Sequence, residues 1–299
     1  MAESVTKMRV ILLTHGQCEA ALEQLLAIES VVIAGIFVET DILRRYRPMQ
    51  ALRRSIKYEG MVATFRNYTR KLLGFGNSYD AEMDLTEDSR ARLRAMAELA
   101  HVPLHLIDNY HTDESRALMR DAAPDLGIIY GTNIIKETVF RIPRLGSVNV
   151  HQGLAPWYRG GPPVFWELYN GEREVGITVH FVEPKVDSGE IVLQQTVPLN
   201  YDYSYGSDYG QFLDKYQVEL QNRSASLLAE SVRLIAAGVA TPIPQDPKLG
   251  TRYRLPTKAQ KNELRRRLRR RQIECGRPEV KDGINMYQEP RRTDEASSA

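Results

Sequence analysis

The chain has 299 residues, with 40 basic and 38 acidic side chains, a formal net charge of +2, and 42% hydrophobic and 26% charged residues. That length and composition suit one large globular domain, with or without a smaller appendage, and exclude a wholly disordered chain. The near balance of charge argues against a dedicated nucleic-acid-binding domain, and the longest apolar stretch, Val31 to Val38, is far below the ~18–20 residues of a membrane span.

Val10 to Leu13 is too short for a signal-peptide core. Cys18 and Cys275 form neither a disulfide framework nor a zinc spacing, so a reducing cytoplasm is the expected compartment. Met8 to Thr14 reads as a buried first strand, followed by a helix from about Gln17 to Ile28 and a second buried strand over Val31 to Val38. Strand, helix, strand is a βαβ unit, which predicts a parallel sheet covered by helices. A helical insertion at about 41–80 interrupts this rhythm. Its Arg44, Arg45, Arg47, Arg53, Arg54 and further basic residues interleave with Tyr46, Tyr58, Phe65 and Tyr68. They suit either a solvated helical pair or an anion-facing wall.

Alternation resumes with a helix over Thr86 to Ala100, a strand at Leu104 to Ile107, a helix from about Asp113 and a strand at Leu126 to Tyr130. Ser147 to His151, Ile177 to Val182 and Ile191 to Val197 are further expected strands, and a long amphipathic helix is expected over about Tyr209 to Ala237. Residues 1–256 therefore read as the main domain and 257–299 as an appendage. The appendage is a basic helix carrying Arg265, Arg266, Arg267, Arg269, Arg270 and Arg271, then a polar terminus expected to be disordered. Leu264 and Leu268 are four apart, so that helix could dock one face while its arginines point outward.

His101, His105, Asp108 and His111 lie close in sequence but do not share a helical face, and no metal is expected there. His15 follows the first strand, in the loop that faces the ligand crevice of an α/β sheet. Neither a dinucleotide fingerprint nor a Walker pattern accompanies it. The chemistry-bearing stretch is Ser147 to Leu199. Asn149 and His151 are two apart on a strand, so they project from one face, and Gln152-Gly153-Leu154-Ala155-Pro156 must then leave that strand. Asp187 lies in a loop thirty-six residues after His151. Asn supplies an amide donor for a developing oxyanion, His a titratable N–H, and Asp a partner for the imidazole and a proton acceptor through water. The set suits attack on a carbonyl by the substrate's own amine; equally, strand-end backbone could satisfy the Asn and His while the Asp makes a turn.

Asn149-Val150-His151, Leu154-x-Pro156-x-Tyr158-Arg159-Gly160, Asn170-Gly171-Glu172 and Asp187-Ser188-Gly189 together resemble the signature of the N10-formyltetrahydrofolate-dependent formyltransferases. That family includes glycinamide ribonucleotide, methionyl-tRNA and sugar-nucleotide transformylases. The resemblance spans roughly Met8 to Pro256 and implies a Rossmann-like α/β fold with a mostly parallel sheet. It implies that Asn149 and His151 polarise the formyl carbonyl and that Asp187 aids proton transfer. The folate would bind at Tyr130, Gly131, Thr132 and Asn133 and at Glu183 and Val186, with His180 nearby. Gly153-Leu154-Ala155-Pro156 departs from the family's Ser-Leu-Leu-Pro, and the Thr14-His15-Gly16 loop lacks the Gly/Ser-rich run of the ribonucleotide enzymes. About forty residues follow Pro256, too few for the β-barrel of the tRNA-specific members. The expected function is formyl transfer to a small-molecule amine, such as an amino-sugar nucleotide. A tRNA acceptor, a formyltetrahydrofolate hydrolase and a non-catalytic RNA- or folate-binding module are the alternatives.

Overall fold

The first strand, β1 (Met8–Thr14), sends alternate side chains to opposite faces: Val10 and Leu12 into one apolar cluster, Ile11 and Leu13 into another. A strand buried on both faces carries a continuous apolar run rather than an alternating one, which is why MRVILLT reads as it does. The computed structural model describes residues 7–40, 61, 78–199, 209–246 and 248–274. Most of the basic insertion expected at 41–80, and the terminus after 274, lie outside the described residues.

After β1 come α1 (Glu19–Leu26), β2 (Val31–Glu39), α2 (Ser78–Leu99), β3 (Leu104–Ile107), α3 (Asp113–Asp121), β4 (Leu126–Tyr130), the short α4 (Glu137–Phe140) and β5 (Ser147–His151). They are followed by β6 (Tyr158–Gly160), α5 (Phe165–Asn170), β7 (Glu174–Phe181), β8 (Ile191–Pro198), α6 (Tyr209–Ala236), β9 (Thr251–Tyr253) and α7 (Lys258–Glu274). Seven strands form one sheet in the order β3-β2-β1-β4-β5-β7-β8. β1 pairs in parallel with β2 and β4, β2 with β3, and β4 with β5, whereas β7 runs antiparallel to both β5 and β8. The sheet is mostly parallel, as the alternation of elements predicts.

Helices cover both faces. Leu22 and Leu25 of α1, Leu93 of α2 and Leu220 and Leu228 of α6 pack over one side. Tyr110, Met119 of α3 and Val139 and Phe140 of α4 pack over the other. α7 joins the first cluster through Leu264 and Leu268, both essentially fully buried.

Several boundaries differ from the sequence reading. α1 begins at Glu19 rather than near Gln17, because Gln17 takes a left-handed backbone conformation, φ 54°, that cannot continue a helix. α2 begins at Ser78, ahead of the Thr86 start; no Gly or Pro stands between those positions to stop it. α3 starts where expected, since the Thr112 hydroxyl accepts the Ser115 N–H at 3.1 Å and acidic residues occupy the first turn. β6 and β9, three residues each, form a separate parallel pair that periodicity could not reveal.

The chain order reverses beside β1, whose neighbours are β2 and β4. Ligands of open α/β sheets bind outside the carboxyl ends of the strands at such a switch point. Here Thr14, ending β1, lies in register with Tyr130, ending β4, and Ile129 lies beside Asn149 of β5.

Candidate active site

Asn149 and His151 share one face of β5, and the antiparallel register of β7 places His180 directly opposite Asn149. Cross-strand neighbours at this spacing touch: Asn149 Nδ2 lies 3.4 Å from His180 Nε2. His180 Nδ1 donates to the Phe181 carbonyl at 2.7 Å, which leaves Nε2 as the acceptor of the neutral ring.

Beyond His151 the chain turns at Gly153, where a Cβ would stand 2.4 Å from His151 Nε2. Thr178, opposite His151 in the register, holds this turn. Its hydroxyl donates to the Gly153 carbonyl at 2.8 Å and accepts the Ala155 N–H at 3.1 Å. The returning strand β6 then presents the Tyr158 carbonyl 2.6 Å from His151 Nε2. A carbonyl only accepts, so Nε2 carries the proton and Nδ1 bears the lone pair of the neutral ring. Nδ1 faces Asp187 Oδ2 at 3.5 Å.

Asp187 sits in the loop between β7 and β8 with φ 50°, an uncommon conformation for a residue with a side chain. The loop folds closely over β7: a Cβ at Gly189 would fall 1.9 Å from the Phe181 carbonyl oxygen, so only glycine fits. Asp187 Oδ2 accepts the Gly160 N–H at 2.7 Å, and Oδ1 lies 3.5 Å from His180 Nε2. Burial works to raise this carboxyl. The positive charge of His151 when protonated, the hydrogen bond and charge of protonated His180, and the Gly160 donor outweigh it and hold Asp187 well below the usual carboxylate range. His151 moves down from its ordinary value because burial disfavours the imidazolium more than Asp187 favours it. At neutral pH the pair is therefore a carboxylate beside a neutral imidazole.

These residues line a cavity of about 610 Å³. Its lining includes Asn149, His151 and Asp187, His180, the Tyr130–Asn133 segment after β4, and Glu183 and Val186, so the structure brings every site residue expected from the sequence to one place. Burial pushes the Tyr130 phenol up to about 12, keeping it neutral. His15 also lines the cavity. Its Nε2 donates to Glu39 Oε2 at 3.0 Å, and the fully buried Glu39 takes the Tyr110 N–H on Oε1 at 3.3 Å.

Gln152, Gln221 and Ser224 complete a wall absent from the sequence-based site. Gln152 Nε2 donates to Ser224 Oγ at 3.3 Å. A signal existed: Gln221 and Ser224 interrupt the apolar face that Leu220, Leu227 and Leu228 give α6. The histidines set aside as a metal group include His105, which stacks on Phe37 with ring centroids 4.8 Å apart. Among the described residues no cluster of three His, Cys, Asp or Glu side chains is placed to hold a metal ion, and no helix is long and apolar enough to cross a membrane.

Residues 86–220, which carry Asn149, His151, His180 and Asp187, match the formyl transferase family. This segment belongs to that family. The chain is 28% identical over 192 residues to a methionyl-tRNA formyltransferase of Chlorobium chlorochromatii, covering 60% of this chain and 59% of the relative. It is 39% identical over 137 residues to one of a Roseiflexus species, covering 45% and 39%. The chain thus spans from about two fifths to three fifths of the length of these curated relatives. The fold is similar to that of a sugar N-formyltransferase from a Shewanella species, with a TM-score of 0.53, 15% identity and 87% of each chain covered.

Proposed function

We propose that this formyl transferase segment moves a formyl group from N10-formyltetrahydrofolate to the amine of a small-molecule acceptor. The observation that carries the reading is the meeting of Asn149, His151 and Asp187, distant in sequence, at one cavity beyond the carboxyl ends of parallel strands. The cavity volume lies within the range of small-ligand sites. Ile129, Ile135, Val150 and Val182 give it apolar walls, and the loops at Tyr130–Asn133 and Glu183–Val186 edge it with polar backbone. That mixture suits a flat, amide-edged heterocycle. In this reading those two loops hold the folate, while His180 supports Asn149 and Asp187 from the buried side.

The bound folate supplies the formyl carbon. Asn149 offers it an amide N–H, which gains strength as negative charge develops on the formyl oxygen. Asp187, ionised at neutral pH, accepts the proton of the attacking amine directly or through water. His151, fixed at Nε2 by the Tyr158 carbonyl, takes up a proton at Nδ1, beside the Asp187 carboxylate, and presents it to the leaving nitrogen or the oxygen.

A methionyl-tRNA acceptor is the second reading, and the curated relatives favour it. One experiment addresses both. The full chain is incubated with N10-formyltetrahydrofolate and, separately, amino-sugar nucleotides, small biosynthetic amines and charged methionyl-tRNA, with products scored by mass for a formyl increment. Transfer to a small amine supports the first reading and transfer to the aminoacyl end the second. Release of formate without any amine would make the protein a hydrolase.

A further inference from the structure

The hydrogen bonds that fix His151 and Asp187 converge on one three-residue strand. In β6, the Tyr158 carbonyl holds His151 Nε2 and the Gly160 N–H holds Asp187 Oδ2. Neither contact uses a side chain of β6, so both depend on where its backbone lies. A three-residue strand outside the main sheet cannot hold that place by itself.

It is held by β9. Tyr158, Arg159 and Gly160 pair with Thr251, Arg252 and Tyr253, and the Thr251 N–H donates to the Trp157 carbonyl at 3.0 Å. The fit is close at two glycines: a Cβ at Gly160 would lie 2.9 Å from the Tyr253 carbonyl oxygen, and one at Gly250 would lie 1.9 Å from that of Pro156. Side chains then lock the pair. The Tyr253 ring stacks between Tyr158, at 5.3 Å, and Trp166 of α5, at 4.8 Å. Asn170 Nδ2 donates to both tyrosine hydroxyls, at 3.0 and 2.9 Å, and Trp166 Nε1 donates to the Arg254 carbonyl at 2.9 Å.

We propose that Tyr253, with its strand β9, is a positioning residue that sets the geometry of His151 and Asp187 through the backbone of β6. This deepens the functional reading above and rests on it for the importance of those two groups. The segment 250–254 is thereby part of the site's architecture although it supplies none of the expected reacting side chains. Loosening β9 should let β6 drift, admit water around His151 and lengthen both hydrogen bonds. The titratable groups facing His151 are Asp187 and His180.

The test needs neither donor nor acceptor, so it fails or succeeds separately from the formyl-transfer experiment. In the isotopically labelled full chain, the His151 titration midpoint and the hydrogen-exchange rate of the Gly160 amide are followed by NMR. Tyr253→Ala should raise the midpoint by about half a pH unit or more toward the ordinary histidine value and speed Gly160 exchange about tenfold. Tyr253→Phe, which keeps the stack, should restore both. Asn170→Ala, at an exposed position, should move both in the same direction, and Leu22→Ala in α1, a core truncation lacking this connection, should move neither. A folded Tyr253→Ala with wild-type midpoint and exchange overturns the proposal. Where that variant does not fold, the same result for Asn170→Ala overturns it.

Discussion

In the proposed reaction Asn149 and Asp187 act on opposite ends of the same event, one on developing negative charge and one on the departing proton, so their substitutions separate. Asn149→Ala removes a donor aimed at the formyl oxygen and should lower kcat by about 10²–10³, with little change in folate affinity measured by calorimetry. Asp187→Asn keeps the shape but cannot accept a proton, and should reduce turnover at least as much across the neutral range. The charge states also predict an acid profile. Asp187 has a folded pKa below its unfolded value of about 3.9, so its stabilisation is present above that value and lost as pH falls through the folded one. His151, also depressed, adds a loss that begins as pH falls below about 6.5, because the unfolded chain takes up the proton first. Thermal denaturation from pH 8 to pH 2 should therefore show Tm declining from about 6.5 downward and more steeply below about 4, and Asp187→Asn should flatten the part below about 4. Asn149, His151 and Asp187 were legible because a strand alternates and the motifs are local. The neighbours of His180 were not, since they follow from the β5–β7 register, which the sequence does not state. The engagement of His151 Nε2 with a backbone carbonyl was equally hidden.

Among the elements, the long ones were legible and the short ones were not. β1, β4 and α6 declare themselves by apolar runs or helical spacing over many residues. β6, β9, α4 and α5 are too short for any period to show, and their places are set by partners far away in sequence. α5 carries one cost that its sequence does not advertise. Glu167 in its first turn is 3% exposed, and burial pushes its carboxyl up to about 8. A raised folded pKa means that this group favours folding fully below its unfolded value of about 4.3 and loses that contribution as pH rises through the folded one. Glu167→Gln removes the ionisation while nearly preserving volume. It should match the wild type in Tm near pH 5 and exceed it at pH 8 to 9; equal Tm at both ends would show that the carboxyl is solvated or paired. α5 also supplies Trp166 and Asn170 to the β6–β9 pair, so its stability bears on the site as well as on the core.

At the scale of the molecule, one sheet with two apolar clusters places the cavity at the strands' carboxyl ends, and α7 closes the first cluster from the far end of the described chain. The sequence reading of α7 docks one face through Leu264 and Leu268 and points the arginines outward, and the structure divides those arginines between different tasks. Arg267 is not simply a surface charge: its guanidinium lies 4.1 Å from the Tyr169 ring centroid, and it donates to the Tyr169 carbonyl at 2.6 Å. Arg266 and Arg270 are exposed, and Arg266 pairs with Glu263 at 2.7 Å, an exposed pair worth little. Leu264 and Leu268, by contrast, are buried against α5 and α6. Leu→Ala in a packed core removes transfer energy and leaves a cavity, so Leu268→Ala should cost about 2–5 kcal/mol by denaturant unfolding. Arg266→Gln with Arg270→Gln should stay within about 0.5 kcal/mol of the wild type, and Arg267→Ala should fall between, since it removes both the ring stacking and the carbonyl bond. The same double glutamine variant separates anchor from binding surface in function. If α7 serves only to close the core, its turnover and the salt dependence of its acceptor KM should match the wild type. A shallower salt dependence, by nearly one unit of slope for each phosphate no longer neutralised, would assign the exposed arginines to a phosphate-bearing acceptor instead.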